Sequence, residues 1–527
     1  MDLLEIVLGM LVVAVVLARF SEALRVPYAV LLVVAGMALA FVPGLPSVDF
    51  DPQLIMAVFL PPLLFSSAYF TSWRDFKLYL RPILSLAIGL VLATTLGVGI
   101  ALKLLLPEVP WAVAFLLGAI VSPPDAVAAA AIMEKLRLPK RIVAILEGES
   151  LVNDATGLVL YKFALAAALS GAFSAVEAAG TFVVYAVGGC GIGYAVGLLA
   201  VWTLKRLHET QLQIAFTFIV PFVAYLAGEN VHVSGVLAVV VAGLVVGWHA
   251  PEFFSAEARI QGQTVWASVV FVLNALVFIL IGLQLDGIAE RLAAYSGPHL
   301  LWLATCVSAA AIAIRMIWVF PNAYLPMMSA SVRAREGGVP PVAWVAIVGW
   351  TGMRGVVSLA AALAIPQTMA DGSAFPARDL VVFLSFAVIF STLVLQGTTL
   401  GPLIRWLGVG GDRSFEREEE SARRKLAHAA LSEIDRLAAE DLVAMEVAPN
   451  LRRVYEARMR AEKPTQHDRE FDAARRQTRR VRLAVVAAER RRLLKLRRER
   501  EIGDDVLHKL MREVDLEEMR LASRSQD

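Results

Sequence analysis

The chain alternates long apolar runs with short polar breaks. Thirteen runs are about as long as a helix needs to cross a bilayer core about 30 Å thick. They cover 3–19, 28–43, 53–70, 82–106, 110–132, 142–169, 176–203, 212–228, 231–249, 264–284, 298–321, 342–366 and 379–403. Several are apolar all round, as helices facing lipid or other helices are. The first run, Leu3 to Ala18, has no basic flank before it and no small-residue cleavage site after it, so it reads as a span and not a signal peptide. The pattern predicts an all-α, polytopic membrane protein with about 13 transmembrane helices.

Loop charge tests that count. The odd-numbered loops hold Arg19, Arg25, Arg74, Lys77, Arg81, Lys135, Arg137, Lys140, Arg141, Lys205, Arg206, Arg259, Arg333 and Arg335. The even loops and their edges hold Lys103, Arg291 and Arg378. Basic residues stay in the cytoplasm, so the N-terminus is expected outside and the C-terminus inside.

Composition agrees. Hydrophobic residues make up 58% and charged residues 18%, against about 25% charged in a soluble domain; mean hydropathy is +0.66. The charge is segregated: 28 of the 49 Lys/Arg and 25 of the 47 Asp/Glu lie in residues 411–527. Two domains are expected, a transmembrane body at 1–410 and a charged helical cytoplasmic tail at 411–527. Within the tail, Arg417 to Ala444 and Arg475 to Arg500 read as helices, with Pro449 and Pro464 as breaks. Its Arg clusters suit solvated helices with interspersed Glu, or contact with anionic lipid, and no nucleic-acid partner is expected. Cys190 and Cys306 sit in apolar runs and read as small buried hydrophobes.

Charged groups at membrane depth are costly, so they mark the candidate chemistry. In the sixth span Ser150, Asn153 and Asp154 stand at i, i+3 and i+4 and share one helix face. A hydroxyl, an amide carbonyl and a carboxylate form a hard oxygen cluster that suits a small hard cation. The alternative is a polar helix–helix contact with Asp154 paired or protonated. In the fifth span Ser122-Pro123-Pro124-Asp125 removes two backbone donors and should break the helix. Asp125 then either joins an ion site or caps the next half-helix. In the twelfth span three glycines lie between Gly349 and Gly355 and weaken that helix too. Paired broken helices in opposite halves of a chain point to a transporter site. Arg354 must find an anion, and Glu149 is the natural candidate. Arg315 either pairs with a carboxylate or snorkels, and Lys162 reaches toward the outer interface.

These residues resemble a known family. Gly148-Glu-Ser-Leu-Val-Asn-Asp, Ser122-Pro-Pro-Asp-Ala-Val-Ala, Val231-His-Val-Ser-Gly-Val-Leu-Ala, Asn274-Ala-Leu-Val-Phe-Ile-Leu-Ile-Gly-Leu-Gln-Leu and Gly352-Met-Arg-Gly-Val-Val-Ser are similar to the sodium/proton exchanger branch of the monovalent cation:proton antiporters, over roughly residues 5–405. The resemblance implies an inverted-repeat antiporter fold with two crossing discontinuous helices, a dimerisation subdomain and a mobile core. It implies that Asp154 alternately carries Na+ and H+, with Asn153, Asp125 and Ser150 as ligands. Asn153 beside Asp154 resembles the electroneutral class. Glu149 and Arg354 match the family's structural ion pair, and Pro124, Thr351, Arg315, Glu147 and Ser66 are possible accessory positions. Pro124 before Asp125, and Ser66-Ser67 after Pro61-Pro62, depart from the commoner Thr and acidic residue.

The expected function is therefore antiport of Na+, or of Li+ or K+, against H+, by a homodimer in the lipid of the cell (inner) membrane. No cofactor is expected beyond the transported ions, and no enzymatic activity. The alternatives are a K+/H+ antiporter of the same fold, a cation channel, and an intramembrane aspartyl hydrolase built on Asp125 and Asp154.

Overall fold

A computed structural model describes residues 3–24, 27–40, 52–125, 136–171, 175–283, 295–336, 338–369, 372–410, 414–440 and 448–453, with scattered positions between these and beyond 453. By internal contact the chain divides into two units, Met1–Asp412 and Arg413–Asp527.

The first unit is helical. Among its described residues the one β feature is an isolated bridge between Thr368 and Ala374. Its long helices fall on the apolar runs and short ones lie between them: α1 Leu3–Leu24, α2 Tyr28–Ala40, α3 Pro52–Phe70, the short α4 Trp73–Leu78, and α5 Leu80–Leu105, which contains a π-helical stretch at Ser85–Leu90. Next come α6 Trp111–Val121, α7 Lys140–Ser170, α8 Ala175–Leu204, α9 Thr210–Asn230, α10 Gly235–Phe253 and α11 Ala256–Leu283. The series ends with α12 Gly297–Tyr324, the short α13 Ala330–Arg335, α14 Val342–Trp350, α15 Val356–Leu363 and α16 Arg378–Trp406. Eight described helical stretches are long and apolar enough to cross a membrane; Tyr28–Ala40, Met56–Phe70 and Trp111–Val121 are shorter and apolar.

Two helices stop where the sequence says they must. α6 ends at Val121, ahead of Pro123 and Pro124, and residues 122–125 are not helical. Most of the fifth span beyond Asp125 lies outside the described residues. In the twelfth span residues 351–355 separate α14 from α15. Gly352 and Gly355 resist continuing a helix there, because glycine loses the most backbone entropy on ordering. α3 behaves differently: Pro61 and Pro62 sit inside it without ending it.

Neighbouring helices pack in groups. α5, α6 and α16 share an apolar core that includes Val98, Leu102, Leu117, Val381 and Val388. A separate core joins α3, α8, α9 and α10 around Phe65, Val220, Val239 and Val246. Apolar side chains also cover the outside: Val12, Val184, Val187 and Leu199 are exposed. Cys190, expected to be buried, is exposed on α8. An apolar run in a membrane helix does not specify which face packs, because lipid accepts the same residues.

The second unit carries α17, Ser414–Glu440, close to the expected tail helix. The expected helix over 475–500 and the break at Pro464 lie largely outside the described residues.

Candidate functional site

The site forms where the two opened stretches meet. The Asp125 backbone N–H donates to the Met353 carbonyl at 2.6 Å. The Arg354 Nε donates to the Val121 carbonyl at 2.9 Å, at the end of α6. A helix end leaves carbonyls unpaired, and here a side chain from the other broken helix takes one of them. A Cβ on Gly355 would run into the Asp125 carboxylate. Gly355 has a negative φ (−137°), outside the left-handed region, and the close carboxylate leaves no space for a side chain there.

α7 supplies the polar face. Asn153 is fully buried, and its Nδ2 donates to the Pro124 carbonyl at 2.8 Å. A helical Pro124 would have directed that carbonyl into its own helix; the break turns it toward α7. The Asn153 Oδ1 is buried with no hydrogen-bond partner, which leaves a carbonyl oxygen available as a ligand. Asp154 is half-buried and interacts electrostatically with Asp125. Ser150 lies one turn earlier on α7, also half-buried. At Gly157 an added Cβ would sit 2.8 Å from the Pro123 ring, so α7 approaches the break closely.

The Glu149 pairing differs from the sequence expectation. Glu149 forms a two-armed ion pair with Arg315 of α12, Nη1 to Oε1 at 2.5 Å and Nη2 to Oε2 at 2.9 Å. Arg315 also donates to the Val348 carbonyl, from Nη2 at 3.0 Å. Arg354, the partner expected for Glu149, binds the carbonyls of Val121 and Gly352. The opened backbone explains the switch, since Arg354 is drawn to the carbonyls that the two breaks expose. Arg354 still interacts electrostatically with Glu149. Arg315, Arg354 and Glu149 are each 1% exposed.

The accessory positions scatter. Thr351 closes α14, its hydroxyl donating to the Ile347 carbonyl at 2.8 Å. Pro124 lies in the crossing itself. Ser66 is buried on α3, and Glu147 on α7 interacts with Asp75 of α4. Tyr28, Asn274 and Thr392 were not singled out for the site by sequence reasoning. The Tyr28 side chain lies near that of Asn274 and also senses the Asp125 charge. Thr392 accepts the Arg354 backbone N–H at 3.1 Å. The signal available was modest: an amide or hydroxyl at depth in an otherwise apolar run.

This architecture is found in known proteins. The protein resembles the sodium proton antiporter MjNhaP1 of Methanocaldococcus jannaschii with a TM-score of 0.60, at 19% identity, over 77% of this chain and 99% of that one. An uncharacterised Na+/H+ exchanger of Escherichia coli K12 is 35% identical over 538 residues, covering 95% of each chain. The sodium, potassium, lithium and rubidium/H+ antiporter of Bacillus pumilus is 32% identical, covering 96% of this chain and 77% of that one. The family profile described as "Sodium/hydrogen exchanger, transmembrane" matches residues 10–406. With that match over most of its length, and with transporters rather than enzymes as its relatives, this all-helical chain belongs to the sodium/hydrogen exchanger family.

Proposed function

We propose that this protein exchanges Na+ for H+ across the cell membrane, one positive charge each way, with Asp154 carrying the cation and the proton in turn. The observation that carries the reading is the meeting of two opened helices at Asp125 and Met353, beside Asn153 and Asp154. Asp154, Asp125, Ser150 and the free Asn153 carbonyl oxygen supply hard oxygen donors of the kind a small cation needs. An empty, charged site is costly to carry across the membrane barrier. One ion or the other must therefore neutralise it before it crosses, and this competition couples the two fluxes. Arg315, Glu149 and Arg354 hold the frame around the site and do not touch the cation.

The loop-charge alternation supports an outside N-terminus and a cytoplasmic tail from residue 411, and the family resemblance supports a homodimer. A second reading, exchange of K+ or Li+, is favoured by the name of the Bacillus pumilus relative, which includes both ions.

The test is cation-induced dequenching of a pH-sensitive dye in acid-loaded proteoliposomes, comparing Na+, Li+ and K+ for wild type and Asp154→Asn. Collapse of the proton gradient in wild type alone supports the reading, and the ranking of ions names the substrate. Equal exchange by a folded Asp154→Asn protein rejects Asp154 as the carrier. No response by either protein at any pH tested, with the protein folded and the vesicles holding a gradient, rejects antiport.

A further inference from the structure

α16 presents Thr392, Gln396 and Thr399 at i, i+4 and i+7, on one helix face. The two outer residues already hold the opened part of the twelfth span and the end of α14 that leads into it. The Thr392 Oγ1 accepts the Arg354 backbone N–H at 3.1 Å, and the Thr399 Oγ1 accepts the Trp350 indole N–H at 3.0 Å. Beside them, a Cβ on Gly397 would lie 3.4 Å from the Met353 sulfur. Gln396 lies between Thr392 and Thr399 on the same face, which their two bonds turn toward residues 350–354.

Gln396 is 0% exposed. Neither its Oε1 nor its Nε2 has a hydrogen-bond partner in the protein. A buried amide with both ends unpaired is costly, and Leu or Met would fill the same space without that cost. Bound water is the usual resolution where polar groups gather out of reach of one another. In the opened stretch the Thr351 and Gly352 N–H groups donate to the Ile347 and Trp350 carbonyls, and the Gly352 and Met353 carbonyls accept from Arg354 and Asp125; each carbonyl keeps a second lone pair with which to meet water.

We propose that Gln396 is a positioning residue of the cation site: its amide binds water against the opened 351–353 backbone. It thereby steadies the Met353 carbonyl, which receives the Asp125 N–H. The effect on the cation passes through Asp125, and Gln396 itself touches no transported ion. This inference rests on the reading of Asp125 and Asp154 as the ion site.

The test is Gln396→Met, which keeps the length and removes the polar atoms, measured as Na+ titrations in proteoliposomes. The apparent KM for Na+ should rise roughly three- to tenfold, the worth of about one hydrogen bond. The maximal rate should stay within about twofold, and the thermal unfolding midpoint should not fall. Gln396→Glu keeps the shape and, when protonated, both a donor and an acceptor. Its KM relative to wild type should be near unity at acidic pH and worsen as pH rises. A wild-type KM in Gln396→Met at every pH overturns the proposal. So does a drop in maximal rate that merely tracks lost thermal stability. If Gln396→Met is not recovered folded, the Gln396→Glu profile decides, and a KM ratio flat with pH rejects the inference. Asp154→Asn is measured alongside: exchange that survives there defeats the ion-site reading, whatever Gln396 does.

Discussion

Arg315 and Glu149 meet fork to fork, 2.5 Å and 2.9 Å between their paired atoms, with both residues 1% exposed. Two charges removed from water persist only when each satisfies the other, and removing one partner from such a pair costs about 3–5 kcal/mol. Arg315→Met should therefore lower the thermal unfolding midpoint of the detergent-solubilised protein sharply. Adding Glu149→Leu should recover much of that loss, because the uncompensated carboxylate is then gone. A double variant no more stable than Arg315→Met would show that the pair is not the unit that matters.

The half-exposed ion pair between Lys162 and Glu229 is a useful contrast. Its atoms lie 3.3 Å apart, with side chains 50% and 38% exposed. Solvent screens such a pair, which is worth under about 1 kcal/mol. Glu229→Gln should unfold within a few degrees of wild type and retain exchange; a large destabilisation would mean that the pair is less solvated than its exposure indicates.

Gly355→Ala tests the close approach of the opened stretch to Asp125. The new methyl would meet the Asp125 carboxylate, and φ at 355 is negative, outside the left-handed region. The folded protein should survive with cation affinity reduced, read as a raised apparent KM for Na+ in the dye assay. Gly191→Ala, where an added Cβ meets nothing within 4 Å, is the control and should leave KM unchanged. An equal shift in both variants would dissociate the effect from Asp125.

Asn153→Asp replaces a donor by an acceptor. The Asn153 amide donates to the Pro124 carbonyl at 2.8 Å, and an ionised Asp would face that oxygen with a like partial charge. The variant should lose about 1–3 kcal/mol, the cost of leaving a buried acceptor unpaired, visible in thermal unfolding. Any transport that remains should carry net charge, measured as a current across a solid-supported membrane. An electrically silent and fully stable variant would contradict both the bond and the expected role of this position.

Much of the geometry of the candidate site was legible in one dimension. Pro123 and Pro124 had to end α6, because proline removes a backbone donor and clashes with the preceding turn. Ser150, Asn153 and Asp154 had to share a face, because helical periodicity brings i, i+3 and i+4 together. The roles of Ser66 and Glu147 were less legible, since a polar residue near a span's edge has many possible neighbours. Thr392 and Gln396 were passed over because a single hydroxyl or amide in an apolar helix has no local signature of what it faces.

The sequence by itself determined which runs are apolar enough to cross a membrane, where two helices open, and which face of α7 is polar. These follow from solvation, backbone sterics and helical period, all of which act over a few residues. Only the tertiary structure decided that Glu149 pairs with Arg315, 166 residues away, and that Arg354 turns to the carbonyls freed by the breaks. Two buried arginines competed for one carboxylate. The outcome depended on where α12 and the opened stretch came to rest, a property of packing between distant segments that no local rule contains.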